Sequence, residues 1–224
     1  EKINLRQEQI AALEGIAEIY NQARNFELAT QYLRRALVIA QELPDIELQV
    51  EIHQLLGDIA INQNNFSVAY REYSNVNKLL GDESQLESKG LLKKLRAYRQ
   101  IGFVYRNLGQ FDESLLSYRK ASNIGKRFED KSSEVRDLQE IAFSHYLLQQ
   151  FDSASIYYNQ ALSFYQLQND TLSLVDVLIA IGDVFFEKEQ FRQAVASYNR
   201  GLEFAQRVGN VQAQVSALVN ISRC

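Results

Sequence analysis

Apolar and small residues recur along this chain at the spacing of one helical face, and the face itself recurs. Phe26, Phe66, Phe111, Phe151 and Phe191 stand 40, 45, 40 and 40 residues apart. Three residues after each Phe comes a small side chain, Ala29, Ala69, Ser114, Ala154 or Ala194. Seven after it comes Leu33, Tyr73, Tyr118, Tyr158 or Tyr198, and ten after it Ala36, Val76, Ala121, Ala161 or Gly201. Offsets of 0, 3, 7 and 10 line one side of an α-helix, and small residues there let a neighbouring helix come close. A second amphipathic segment lies upstream. Nine residues before each Phe stands Ala17, Gly57, Gly102, Ala142 or Gly182, preceded by Ile16, Leu56, Ile101, Ile141 or Ile181. Three residues further on come Tyr20, Ala60, Tyr105, His145 and Phe185. Each repeat is therefore expected to be two helices, A and B, joined by tight turns such as 107–110 and 188–190. Asp45, Asp130, Asp170 and Asn210, nineteen residues after a Phe, are placed to cap the next helix A, and Pro44 stops the helix before it.

The order small, aromatic, small, aromatic, small in Gly102, Tyr105, Ser114, Tyr118 and Ala121, and again in Gly182, Phe185, Ala194, Tyr198 and Gly201, resembles the tetratricopeptide (TPR) repeat. The likeness covers nearly the whole chain. It implies an all-α fold, a right-handed α-solenoid of antiparallel helix pairs with five full repeats and one terminal helix. The repeats fall at about 5–44, 45–81, 90–129, 130–169 and 170–209, the terminal helix at 210–224, and the whole of 1–224 reads as a single TPR superhelical domain. A period near 40 exceeds the usual ~34 and is similar to the longer repeats of kinesin light chains, G-protein-signalling modulators and bacterial regulators. The helix-A Trp of the family is replaced by Leu13, His53, Tyr98, Leu138 and Leu178, and a closing Pro occurs only at Pro44. The 45-residue interval leaves 82–94 as an insertion or an extended helix start.

Composition narrows the functional classes. Ten Gly and one Pro make about half the usual share of turn-forming residues, which fits helices and not sheets or Pro-rich disorder. A net charge of −4 argues against a chain that mainly neutralises phosphates. A single Cys, Cys224, makes no internal disulfide, and the compartment stays unassigned, with the cytoplasm preferred. Apolar runs such as 177–181 are too short to span a membrane. The absence of Met and the half repeat after Asn210 point to a piece of a longer solenoid. No phosphate-binding glycine loop and no HExxH occur. His53 and His145 stand at packing positions two repeats apart, so no catalytic residue, metal site or cofactor is expected, and the chain reads as no enzyme.

In the TPR family the A helices line a concave groove. The resemblance implies inward positions three before and one, four and five after the small A-helix residue. Repeat one then supplies Glu14, Glu18, Asn21 and Gln22, and repeat two Gln54, Asp58, Ile61 and Asn62. Repeat three supplies Arg99, Phe103, Arg106 and Asn107, with Arg96 one turn earlier; repeat four supplies Gln139, Phe143, Tyr146 and Leu147, with Arg136 one turn earlier. Repeat five gives Ile179, Asp183, Phe186 and Glu187. The expected peptide-binding centre is thus Arg96, Arg99, Phe103, Arg106, Asn107, Arg136, Gln139, Phe143 and Tyr146, flanked by Asp58, Asn62, Asp183 and Phe186. Arginine presents a planar fork to carboxylates and exposed aromatics offer anchor area. The function this implies is binding of a partner segment, with an acidic or C-terminal carboxylate near Arg99 and Arg106 and an apolar side chain against Phe103 and Phe143. Two other readings stay open: the arginines pair with acids of neighbouring repeats such as Asp58 and Glu140, or the chain is a peptide-sensing regulatory domain of a larger signalling or transcription-control protein. The expected partner is a protein or peptide; the acidic flanks disfavour nucleic acid, no membrane insertion is expected, and Val215, Leu218, Val219 and Ile221 could support self-association.

Overall fold

The computed structural model describes residues 2–224, and its regular structure is helical throughout. The helix pairs are α1 (Lys2–Gln22) with α2 (Phe26–Gln41), α3 (Ile46–Asn62) with α4 (Phe66–Leu80), and α5 (Ser88–Asn107) with α6 (Phe111–Gly125). They continue as α7 (Lys131–Leu147) with α8 (Phe151–Gln168) and α9 (Thr171–Glu187) with α10 (Phe191–Arg207), followed by α11 (Val211–Ser222). Every repeated Phe is the first residue of a B helix. The chain divides into two compact units, one ending at Ile124 and the other beginning at Gly125.

One turn is used five times between A and B helices. The amides of Asn25, Asn65, Gln110, Gln150 and Gln190 donate back to the carbonyls of Tyr20, Ala60, Tyr105, His145 and Phe185 at 2.8–2.9 Å. Such a closure needs the preceding residue in the left-handed region, and Arg24, Asn64, Gly109, Gln149 and Glu189 have φ between 55° and 73°. Only one of the five is glycine, the residue that takes this conformation without steric cost. Asp45, Asp130, Asp170 and Asn210 cap their helices, accepting from the amides of Glu47, Ser133, Ser173 and Ala213.

Within each unit the small positions carry the contacts. Ala29, Ala69, Ala154 and Ala194 are completely buried, as are Ala36, Val76, Ala121 and Ala161. In three repeats the B-helix tyrosine closes on an A-helix glycine: a Cβ on Gly57 would stand 2.7 Å from the Tyr73 ring, and one on Gly102 2.9 Å from Tyr118. Gly182 and Tyr198 make the tightest such pair. Residues 82–94 form a short 3-10 turn, Glu83–Gln85, followed by the start of α5, which is three residues longer than α3. Lys89 and Lys93 of that start bond to α3: both reach Glu47, and Lys93 also reaches Glu51 at 2.7 Å. Among the described residues no helix is long and apolar enough to cross a membrane.

Candidate functional site

In the first unit, α5 carries Arg96, Arg99, Phe103, Arg106 and Asn107. Arg99, Phe103 and Arg106 follow at intervals of four and three, so they share one face of the helix. The Arg106 guanidinium lies over the Phe103 ring, 5.4 Å from its centre, and Phe103 in turn meets the edge of Phe66 at 6.3 Å. Both residues are half-buried, as is Arg99. Arg96 is more exposed and bonds to Asp58 of the preceding repeat. The Asp58 carboxylate also accepts from the Tyr73 hydroxyl, so this flank residue ties α3, α4 and α5 together. Burial pushes the Asp58 carboxyl above the usual range, against the lowering effect of Tyr73 and Arg96. Asn62 is exposed and its side-chain amide reaches Asn21 at 3.5 Å, while Asn107 donates to the Phe103 carbonyl of its own helix.

Four of the inward positions of repeats one and two come together as a cavity. Glu14, Glu18, Asn21 and Asp58 line it, in a space of about 340 Å³ between α1, α2 and α3. No motif in the sequence singled out this cavity; it is visible only once α1 and α3 are side by side.

In the second unit, α7 carries Arg136, Gln139, Phe143 and Tyr146. Phe143 is 36% exposed and lies flat against Tyr146, with ring centres 6.1 Å apart and planes 11° from parallel. Tyr146 also touches Phe151, and its hydroxyl points to Glu187 at 3.5 Å. Burial, then the charges of Glu187 and Asp183, push the Tyr146 hydroxyl up to about 12, so it stays a donor at any ordinary pH. Arg136 is exposed. Gln139 serves the fold: its side-chain oxygen accepts a 2.6 Å bond from Tyr165. Asp183 is engaged likewise, by the Tyr198 hydroxyl at 2.8 Å and Asn220 at 3.1 Å, and its carboxyl is pushed up by burial. Phe186 packs against Phe191 and under the Arg223 guanidinium, 4.9 Å from its ring centre.

Both histidines are committed to packing. His145 is 4% exposed, stacks on Tyr157 and bonds Gln150 at 2.6 Å. His53 is buried with a partner that sequence reasoning missed: its Nδ1 is 2.8 Å from Glu72, itself 3% exposed. Arg71 joins that cluster with a 3.0 Å bond to the same carboxylate, and Arg34 approaches it at 3.8 Å. Glu72 sits in a B helix one residue before the repeated Tyr, where an acid looks like solvent-facing surface. One signal of such pairing is present in the sequence: Gly57-Asp58 and Gly182-Asp183 are each followed, fifteen residues after the Asp, by a tyrosine that bonds it.

A tetratricopeptide repeat model matches residues 93–167 and 137–207, which together make just over half of the chain. No curated protein matches the chain in sequence. Among solved structures, BtubC (BKLC) from P. vanneervenii superposes with a TM-score of 0.78 at 21% identity, over 93% of this chain and 84% of that one. Aspartyl phosphate phosphatase F from Bacillus subtilis gives 0.80 at 13% identity, over 97% and 56%. The Rap conjugation gene regulator of the plasmid pLS20, solved in complex with the Phr* peptide, gives 0.60 at 14% identity, over 90% and 54%. The chain thus spans a little over half the length of the last two.

Proposed function

Because the chain belongs to the tetratricopeptide repeat family, we propose that it is a protein-interaction module that binds a partner segment bearing an acidic or terminal carboxylate. The observation that carries this reading is the cluster on α5, where Arg106 lies over Phe103 with Arg99 one turn away on the same face. A guanidinium held against a ring keeps its planar fork oriented for a carboxylate, and the ring edge offers apolar area to the neighbouring side chain. Phe143 and Tyr146 stack on α7, and Arg136 lies two turns earlier on the same helix, so the second unit carries the same residue types. The module has no chemistry of its own in this reading, since both histidines are spent on packing. A phosphatase among the structural neighbours does not change that, because 13% identity over 56% of its length speaks for the fold alone.

The test is an array of acidic and free-carboxylate decapeptides probed with the full chain, followed by affinity measurement on the retained sequences. Replacing Arg99→Glu and Arg106→Glu together should weaken binding about 100-fold or more, two charge-assisted bonds at about 1.5–3 kcal/mol each, with helicity unchanged by circular dichroism. Unaltered affinity in the double variant rejects the assignment. A second reading is a peptide-sensing regulatory domain of a larger protein. It is favoured by one observation, that a neighbour covering nearly all of this chain is a gene regulator in complex with a peptide. A peptide that changes the spacing or exposure of the helices on binding, seen by small-angle scattering, would support it over a passive scaffold. Self-association through α11, where Val215, Leu218 and Val219 are half exposed, is read out by sedimentation.

A further inference from the structure

The cavity between α1, α2 and α3 combines two chemistries that ordinarily stay apart. Its floor is apolar, made by Leu33, Leu55 and Ile59, and its rim carries Glu14, Glu18 and Asp58. At about 340 Å³ it lies at the low end of ligand pockets, which run from about 300 to 1,000 Å³, a size for one long side chain. The rim acids are not equivalent. Asp58 is already bonded to Tyr73 and Arg96. Glu18, at the exposed edge of the cavity, accepts from Gln22 at 2.9 Å. Glu14 differs from both: its Oε1 is fully buried and has no hydrogen-bond partner among the described residues. A buried carboxylate oxygen without a donor is costly, and native folds seldom keep one unsatisfied. Burial, reinforced by the charge of Glu51, already pushes the Glu14 carboxyl up, and a cation in the cavity would reverse that pressure.

We infer that this cavity receives an arginine or lysine side chain of the bound partner segment, its methylene stem on Leu33, Leu55 and Ile59 and its cationic head between Glu14 and Glu18. Long basic side chains are apolar along the stem and charged at the tip, the same division the cavity shows from floor to rim. Arginine is preferred to lysine, because its fork can give one donor to each carboxylate and its head is the more weakly hydrated. A purely apolar side chain would leave Glu14 buried and unsatisfied, and a bare metal ion would gain nothing from the floor. The inference rests on the partner-segment reading above and adds a polarity to it. Within the first unit the segment has a basic residue at α1–α3 and a carboxylate at α5, so it can lie in one direction only.

The experiment is a random decapeptide array probed with the full chain and with three variants. The wild-type chain should retain sequences with Arg or Lys at a fixed distance from Asp or Glu. Glu14→Gln with Glu18→Gln should lose the basic preference, at least ten-fold in affinity for the best sequence, and keep the acidic one; Arg99→Glu with Arg106→Glu should do the reverse. Glu18→Lys, a change at an exposed position that cannot unfold the helix, should convert the basic preference into an acidic one. An acidic preference sensitive to the arginines, with no basic preference or one indifferent to Glu14 and Glu18, overturns the inference and leaves the partner-segment reading standing. Enrichment of Leu or Phe at that position overturns it too. Retention of no decapeptide at all overturns both.

Discussion

Repeats two and five carry an aspartate directly after the small A-helix residue, Asp58 and Asp183; repeats three and four carry a phenylalanine there, Phe103 and Phe143. The backbone position is the same in all four. In the aspartate repeats the B-helix tyrosine closes over the glycine and its hydroxyl donates to the acid, which then also holds a residue of the next A helix, Arg96 for Asp58 and Asn220 for Asp183. In the phenylalanine repeats a ring takes the place of that carboxylate, Phe103 under the Arg106 guanidinium and Phe143 against Tyr146. One residue type therefore decides whether this position offers a carboxylate to two neighbouring helices or an aromatic ring. Arg96 shows the consequence: although it belongs to the arginine-rich repeat, the preceding repeat places Asp58 within reach, and it is drawn into the structural role.

The sharpest way to break this comparison is to move the tyrosine. A methyl group at Gly182 would overlap the Tyr198 ring, so the ring must shift and carry its hydroxyl away from Asp183. Gly182→Ala should cost about 1–3 kcal/mol by overpacking, despite the better helix propensity of alanine. Ala142→Gly in repeat four, where alanine is tolerated opposite Tyr158, should cost only about 1 kcal/mol through backbone entropy. Urea unfolding followed by circular dichroism measures both. Equal midpoints for the two variants would mean that the glycine–tyrosine contact does not set the geometry of the aspartate repeats.

What could be read from the sequence is what repeats. Helix starts at the five phenylalanines, the four caps and the small contact positions follow from periodicity, since each recurs too often for its neighbours to disguise it. The turns were legible in place but not in conformation. Gly109 advertises a left-handed residue, but Arg24, Gln149 and Glu189 adopt the same conformation with nothing in their chemistry to announce it, because the five-residue closure imposes it from outside. Residues that act by meeting a distant partner were illegible. Glu72 reads as surface until His53 and Arg71 converge on it, and Glu14 reads as one inward acid among several until the structure shows its Oε1 buried without a donor. Gln139 and Arg96 stand where a groove residue should stand, yet Tyr165 and Asp58 engage them.

Acid titration separates the structural acids by sign. Burial raises the Asp183 carboxyl above its ordinary value of 3.8. Its contribution to stability is therefore fully present below 3.8 and is lost as the pH rises through the raised value. Glu72 is the opposite case: burial alone would raise it, but the bonds from His53 and Arg71 hold it below 4.5. Its contribution is present above 4.5 and is lost as the pH falls through the lowered value. Taken from acid to neutral pH, Asp183→Asn should gain stability relative to the wild type while Glu72→Gln falls behind it, in urea midpoints measured across the range. Parallel curves for the two variants would show that the aspartate repeats do not carry a buried charge.

The smallest effect concerns the two phenylalanines themselves. Phe103 is wedged between the Phe66 edge and the Arg106 guanidinium, whereas Phe143 stacks on Tyr146 and is 36% exposed. An aromatic pair adds about 0.5–1.5 kcal/mol beyond the area it buries. Phe103→Ala should therefore lower stability by more than about 1 kcal/mol, and Phe143→Ala by less. If Phe143→Ala proved as destabilising as Phe103→Ala, its ring would belong to the fold of repeat four, and the contrast with the aspartate repeats would hold in repeat three alone. A near-neutral Phe143→Ala that weakens peptide retention would place that ring among residues that serve contact more than the fold.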